Sequence, residues 1–284
     1  MRFAPLVLNF ALMVSLPVLL GWLIAGRRRV SWRYFGIGML SFILAQVGHI
    51  PFNYMVNNSL LAEMTLASEQ ARMIVTAAFL GLSAALFEEG MRYLTFRFWA
   101  KDARTWGRGL MMGAGHGGVE SILLGLLGAL NVTILFGYQA GYFQGLIPTE
   151  QASQVGQALD QLAALPWYEM MFGALERIFA LSIQLSLSLL VMQLFVRGKL
   201  RWLLVAFSWH ALIDATAVIA LDAGGAYAAE AVAGVAALIS LVIIAMLRAP
   251  EPKPASPGPM LEPGRAQPIQ IKPTKEKLED SRYI

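Results

Sequence analysis

Cysteine is absent from all 284 residues, which excludes disulfides, thiolate metal sites and a cysteine nucleophile together. Charge is almost as scarce. Asp, Glu, Lys and Arg make up 14% of the chain against 57% hydrophobic residues, and the mean hydropathy is +0.58, a balance foreign to soluble domains. Histidine occurs three times. No phosphate-cradling glycine loop or dinucleotide fingerprint is present, and no stacking or groove-reading motif supports nucleic-acid binding.

What the chain has instead is long apolar runs. Stretches of about 20 residues, enough to span a bilayer core, fall at roughly 4 to 25, 34 to 55, 73 to 99, 108 to 138, 168 to 196, 200 to 221 and 227 to 247. The expected fold is therefore an all-α polytopic membrane bundle of about seven transmembrane helices. The arginines of the first run follow its apolar stretch, so it reads as a retained span rather than a signal peptide.

The connections alternate in charge. Arg27, Arg28, Arg29 and Arg33 follow the first span, Lys101, Arg104 and Arg108 the third, Arg197, Lys199 and Arg201 the fifth, and Arg248 the seventh. The other connections carry Glu63, Glu69, Glu150, Asp160, Asp222 and Glu230, with Arg72 the basic residue at their edge. The positive-inside rule then places the N-terminus outside and the C-terminus in the cytoplasm. The net charge of +4 reads as a basic collar facing anionic lipid headgroups. The expected location is a cell membrane, as a multi-pass integral protein.

Residues 1–248 read as the transmembrane domain. Residues 249–284, beginning APEPKPASPGP, read as a disordered cytoplasmic tail, because so proline-rich and polar a segment cannot bury enough surface to fold. Between the fourth and fifth spans, 139–167 is the longest outer loop, and Gln151, Gln154, Gln157 and Gln161 mark a short surface helix there. No internal repeat is visible, which disfavours a transporter of inverted halves.

Ionisable residues inside spans are costly and by default mark function. At 1.5 Å per residue, Glu88, Glu89, His116, Glu120, His210 and Asp214 all lie about 12 to 20 Å from the cytoplasmic ends of three helices, in one layer. His116 and Glu120 are four residues apart, as are His210 and Asp214, so each pair shares a helix face. Glu88 and Arg92 are also four apart, in the order that favours an ion pair, which leaves Glu89 to act separately. Gly109, Gly113 and Gly117 form a stripe of small residues that lets another helix approach. His49, before Ile50 and Pro51, reads as helix-breaking or interfacial.

This layer serves hydrolysis in either of two ways. A carboxylate in a low-dielectric cavity can act as general base toward water, with histidines at the oxyanion or the leaving amine. Alternatively a divalent metal such as zinc, with His116, Glu120, His210 and Asp214 as candidate ligands, activates the water. No cofactor is certain from the sequence. Acid and histidine layers also build proton relays, so a proton-coupled transporter is the alternative, and a noncatalytic scaffold or chaperone a third.

EExxR in one span, a GHGxxE motif in the next and HxxxD near the end resemble the YhfC family of bacterial membrane proteins, glutamic-type intramembrane proteases related to the CAAX-protease and bacteriocin-processing group and to PrsW. The resemblance covers most of the chain apart from the tail. It implies an intramembrane endopeptidase acting on a membrane protein or peptide, in which Glu88 and Glu89 supply the water-activating carboxylate. Arg92 then orients or neutralises one of them, and His116 and His210 assist at the oxyanion and leaving group. The wider group shows HxxxN where this chain has His210 and Asp214, and one more residue before the arginine. Glu176, Arg177 and Gln184 lie on the fifth span; related sequences carry histidine at the position of Gln184, which removes a potential ligand. Glu176 with Arg177 reads as structural.

Overall fold

The computed structural model describes residues 3–61, 64, 68–142 and 152–249; the proposed tail, apart from Ala249, and Gln151 lie outside them. The helices are α1 (Ala4–Arg28), α2 (Arg33–Val56), α3 (Glu69–Leu94), α4 (Trp106–Gln139), α5 (Ala152–Ala164), α6 (Phe172–Arg197) and α7 (Arg201–Met246). Six of them, all but α5, are long and apolar enough to cross a membrane.

The seventh crossing comes from within α7. A straight helix of its 46 residues would reach about 69 Å, more than twice the hydrocarbon thickness. Gly225 interrupts it with φ 69° and ψ −164°, a backbone conformation that glycine alone adopts readily. The chain folds back there, so that Trp209 Nε1 of the first leg donates to Ser240 Oγ of the second at 3.3 Å. The seven spans expected from hydropathy are thus six helices with one of them bent double.

Local chemistry sets the other ends. The side chain of Ser68 caps α3 by accepting from Ala71 N, and Thr105 caps α4 by accepting from Arg108 N. Arg29 (φ 53°) and Gly198 (φ 66°) turn the chain left-handed after α1 and α6. Pro51 does not end α2, which runs on to Val56, so the expectation of a break after His49 is corrected. The helix loses one hydrogen bond there and continues. The surface helix expected in the long loop is α5, an amphipathic element.

The basic clusters gather at one end of the bundle. Arg28 and Arg248 both lie over the Trp106 ring, at 4.7 and 6.0 Å, and Trp106 Nε1 donates to Ile244 O. Arg33 and Arg108 flank Asp102, and Arg104 lies over Phe195. The opposite end holds Phe3 against Phe136 and Tyr227 donating to Glu169. Aliphatic side chains such as Val47, Leu127 and Leu238 are more than half exposed and form the lipid-facing surface of a multi-pass membrane protein.

The glycine stripe of α4 lies against α6, as its spacing implied. A Cβ on Gly113 would stand 2.8 Å from Leu185 Cα, and one on Gly117 2.7 Å from Gln184 Cβ. These two positions have room only for hydrogen. The close approach fixes the face of α4 that carries His116 and Glu120 against the face of α6 that carries Gln184 and Arg177.

Candidate functional site

Glu88, Glu89, Arg92, His116 and His210 are all buried, together with Gln184 and Arg177. The polar layer anticipated from helix depth is one connected network across α2, α3, α4, α6 and α7.

Its carboxylates differ in their partners. Glu89 Oε1 accepts a short hydrogen bond from Arg92 Nη1 and another from His210 Nδ1 at 2.8 Å. Glu88 instead faces both histidines. Its Oε2 lies 3.2 Å from His116 Nε2 and 3.9 Å from His210 Nε2, and its Oε1 accepts from Gln46 Nε2 at 3.1 Å. The expected Glu88–Arg92 pair is therefore corrected to Glu89–Arg92. Positions three and four apart are both within reach on a helix. Arg92 turns toward Glu89 because its other nitrogen, Nη2, donates to Gln184 Oε1 at 2.5 Å.

Gln184 links the two halves of the layer. With its oxygen held by Arg92, its Nε2 donates to Glu88 Oε2 and to Glu120 Oε2, each at 3.3 Å. One amide can accept once and donate twice, a set of roles that a neutral imidazole cannot fill. Glu120 is further held by Arg177 Nη1 at 2.9 Å, and Arg177 Nη2 bonds Glu176. Glu120 is thus committed to Arg177 and Gln184 rather than to His116, while Glu176 and Arg177, read from the sequence as structural, form an ion pair on the wall of a polar cavity.

Two cavities meet at Glu88. One, of about 210 Å³, lies among α3, α4, α6 and both legs of α7, and Glu88, Glu120, Glu176, Arg177, His210 and Asp214 line it. The other, of about 480 Å³, opens between α2 and α4; Glu88, Glu120 and Gln46 form its inner end, and Ile43, Val47, Leu124 and Leu127 are among its aliphatic walls. Those walls belong to the lipid-facing surface.

The layer can be tested as a cation site by its donors. No group of three or more His, Asp or Glu among the described residues is arranged about a common ion position. The donor chemistry nevertheless fits a cation. A carboxylate bonded to arginine can only accept, so His210 Nδ1 carries the proton of its bond to Glu89, and Nε2 carries either a second proton or, in the neutral ring, a lone pair. That lone pair faces Asp214 Oδ2 at 3.4 Å and Glu88 Oε2 at 3.9 Å. A lone pair turned toward carboxylate oxygens calls for a proton or a metal ion between them. A histidine whose other nitrogen is held by a carboxylate is the usual arrangement at a metal.

Sequence reading did not find Ser41 and Gln46. Ser41 Oγ lies 2.8 Å from His116 Nδ1 and Gln46 holds Glu88, yet each is a single polar residue in an otherwise apolar helix, and nothing in α2 alone marks the side that meets α4. His49 bonds Gln46, Ser83 and Asn53 and stacks on Phe87, next to the layer but outside the contacts of Glu88.

Comparison with known proteins places the chain in a family. A family model described as YhfC intramembrane metalloprotease matches residues 12–237. Over 140 residues the chain is 39% identical to a Bacillus subtilis protein described as uncharacterized membrane protein YhfC, a match covering 49% of this chain and 54% of that relative. The chain thus aligns with about half the length of this curated relative. No solved structure matches. Because the matched residues run from α1 into the second leg of α7 and include every side chain of the layer, the chain belongs to the YhfC intramembrane metalloprotease family.

Proposed function

We propose that this protein is an intramembrane peptidase that hydrolyses a peptide bond of a membrane-embedded or membrane-delivered substrate, with Glu88 as the general base. The observation that carries this reading is the position of Glu88: its Oε2 lies between two histidine Nε2 atoms while its side chain lines both cavities. Glu89 does not fit the base role, because Arg92 and His210 hold its Oε1 and its side chain lines neither cavity.

The amides of Gln46 and Gln184 hold the two oxygens of Glu88 and aim the carboxylate at a water in the polar cavity. Glu88 accepts a proton from that water as the water oxygen attacks the carbonyl carbon. The carbonyl oxygen gains the electron pair of its π bond, and collapse of this oxyanion breaks the C–N bond. The proton taken by Glu88 passes to the leaving amine, so acid and base are regenerated. The wall between the cavities carries Glu120, which Arg177 and Gln184 fix in place.

His116, His210 and Asp214 are the residues that would hold a divalent ion such as zinc, which when bound supplies Lewis-acid polarisation of the carbonyl and a more acidic water. Arg92 and Glu89 position His210 for either role. The apolar cleft between α2 and α4 is the way in for the substrate, since its walls suit an apolar chain and its inner end is Glu88. The polar cavity is the smaller and carries carboxylates on its walls, which suits water.

The test is elemental analysis and peptide cleavage by the full chain in proteoliposomes, comparing wild type with E88Q and with the H116A/H210A double variant. About one zinc per chain, lost in the double variant, is expected, together with a loss of about 10²- to 10⁴-fold in cleavage for E88Q. Full cleavage by E88Q would remove Glu88 from the mechanism. Flux of protons without cleavage would favour the transporter.

A further inference from the structure

Ser41 has no part in the motifs, yet it is 1% exposed and touches His116. Its hydroxyl oxygen makes two contacts, one at 2.7 Å to Gly38 O and one at 2.8 Å to His116 Nδ1. A serine has one proton to give, and a carbonyl oxygen can only accept. The Ser41 proton is therefore spent on Gly38 O. The contact with His116 can then be a hydrogen bond only if Nδ1 carries a proton and Ser41 Oγ accepts it.

We infer that Ser41 is a positioning residue that fixes His116 as the Nδ1–H tautomer and so turns the lone pair of Nε2 toward Glu88. Without Ser41 the ring would gain by the opposite choice, because Nε2 stands 3.2 Å from Glu88 Oε2, a contact that needs a proton in the absence of a cation: the Glu88 carboxyl carries it when Nε2 keeps its lone pair, and Nε2 carries it otherwise. A proton at Nε2 would occupy the position that a water proton or a cation needs. Ser41 thus does for His116 what Glu89 does for His210. The two rings arrive at the same state, Nδ1 held from behind and Nε2 open toward Glu88, through outer partners of different chemistry on different helices.

The backbone makes this geometry rigid. α2 and α4 touch where Gly38 meets Met112 O: a Cβ on Gly38 would stand 2.2 Å from that oxygen and 3.0 Å from His116 N. Ser41, one helical turn on, is thereby brought against the His116 ring. Phe42 meets the same ring edge to face at 5.3 Å, which restricts its rotation. The contact between the two helices therefore selects a tautomer as well as a distance.

The importance of this tautomer for catalysis rests on the peptidase reading, but the tautomer itself does not. The experiment is nitrogen NMR of the full chain in detergent micelles with ¹⁵N-labelled histidine, in the absence of metal. The three histidines give three pairs of ring-nitrogen signals, and the His116 pair is identified by its loss in H116Q. The expected result is a proton on Nδ1 and none on Nε2 of His116 in wild type, a shift of the majority population to Nε2–H in S41A, and unchanged signals from His49 and His210. A wild-type His116 that carries its proton on Nε2, or on both nitrogens, would overturn the inference whatever the variant does. So would an S41A spectrum identical to wild type. Neither outcome depends on whether the protein cleaves peptides or binds zinc.

Discussion

Arg92 bonds Glu89, three residues before it, and leaves Glu88 to face His116 and His210. Successive side chains on a helix point about 100° apart, so the adjacent glutamates meet different partners, apart from His210, which faces both. The dipeptide is divided by its surroundings into a carboxylate bound to a guanidinium and a carboxylate that looks into a cavity. A second buried acid next to an ion pair has no structural necessity, which is why Glu88 and not Glu89 carries the chemical reading.

The two variants E88Q and E89A should therefore fail in different ways. Removing Glu89 leaves the Arg92 guanidinium, which is 1% exposed, with Gln184 alone among the described residues as a polar side-chain partner. Breaking a buried pair on one side costs about 3 to 5 kcal/mol. E89A is expected to lower the unfolding midpoint in detergent substantially, whereas E88Q keeps the midpoint and loses cleavage. If E89A unfolds like wild type, Arg92 has another anchor and the division of labour between the glutamates is wrong.

Most of the architecture could be read from the sequence because hydropathy and loop charge are local properties. The seven spans, the basic face and the depth of Glu88, His116 and His210 each follow from residues near them in the chain. The pairing of Arg92 could not be read that way. Glu88 and Glu89 are both within reach on α3, and Gln184 of α6 and His210 of α7 break the tie, which no window on α3 contains. The same reason hid Ser41 and Gln46. It also hid the commitment of Glu120 to Arg177: spacing put Glu120 on the His116 face, but its partner comes from α6. Gly225 was legible as part of a loop between two spans, although its role as the reversal inside one long helix needed the fold.

The cleft between α2 and α4 gives a second prediction. Val47 is 66% exposed and lines the cleft, so a larger side chain there fills the passage without disturbing the core. V47W and L124W are expected to slow cleavage of a membrane-embedded substrate by about 10- to 100-fold, the scale of a misplaced substrate. L238W, on a lipid-facing position outside the cleft, serves as the control. Equal rates in V47W and L238W would show that the substrate arrives by another route. The absence of native cysteine permits a second check, since V47C can be capped with a bulky disulfide-forming thiol reagent without competing thiols, and filling the cleft should inhibit only until the cap is reduced off.

A third prediction concerns the basic end of the bundle. Tyr34 donates from its hydroxyl to Asp102 Oδ2 at 2.5 Å, with Arg33 and Arg108 within 4 Å of the same oxygen. The Tyr34 hydrogen bond, aided by the two arginines, holds the Asp102 carboxyl below its ordinary value of 3.8. A carboxylate depressed in the folded state stabilises that state fully above its unfolded pKa. The contribution fades as pH falls through the interval down to the folded pKa. Asp102 therefore favours the docking of the loop after α3 onto the start of α2 at neutral pH, and acid releases it. Asp102 is half exposed, so the effect should be modest and should shrink in high salt. Thermal unfolding in detergent is expected to lose stability more steeply below about pH 4 in wild type than in D102N. Y34F should fall between them, since it removes the hydrogen bond and leaves the arginines. An acid-side slope in Y34F equal to that of wild type would mean that the arginines alone hold Asp102 and that the tyrosine bond contributes nothing to the join.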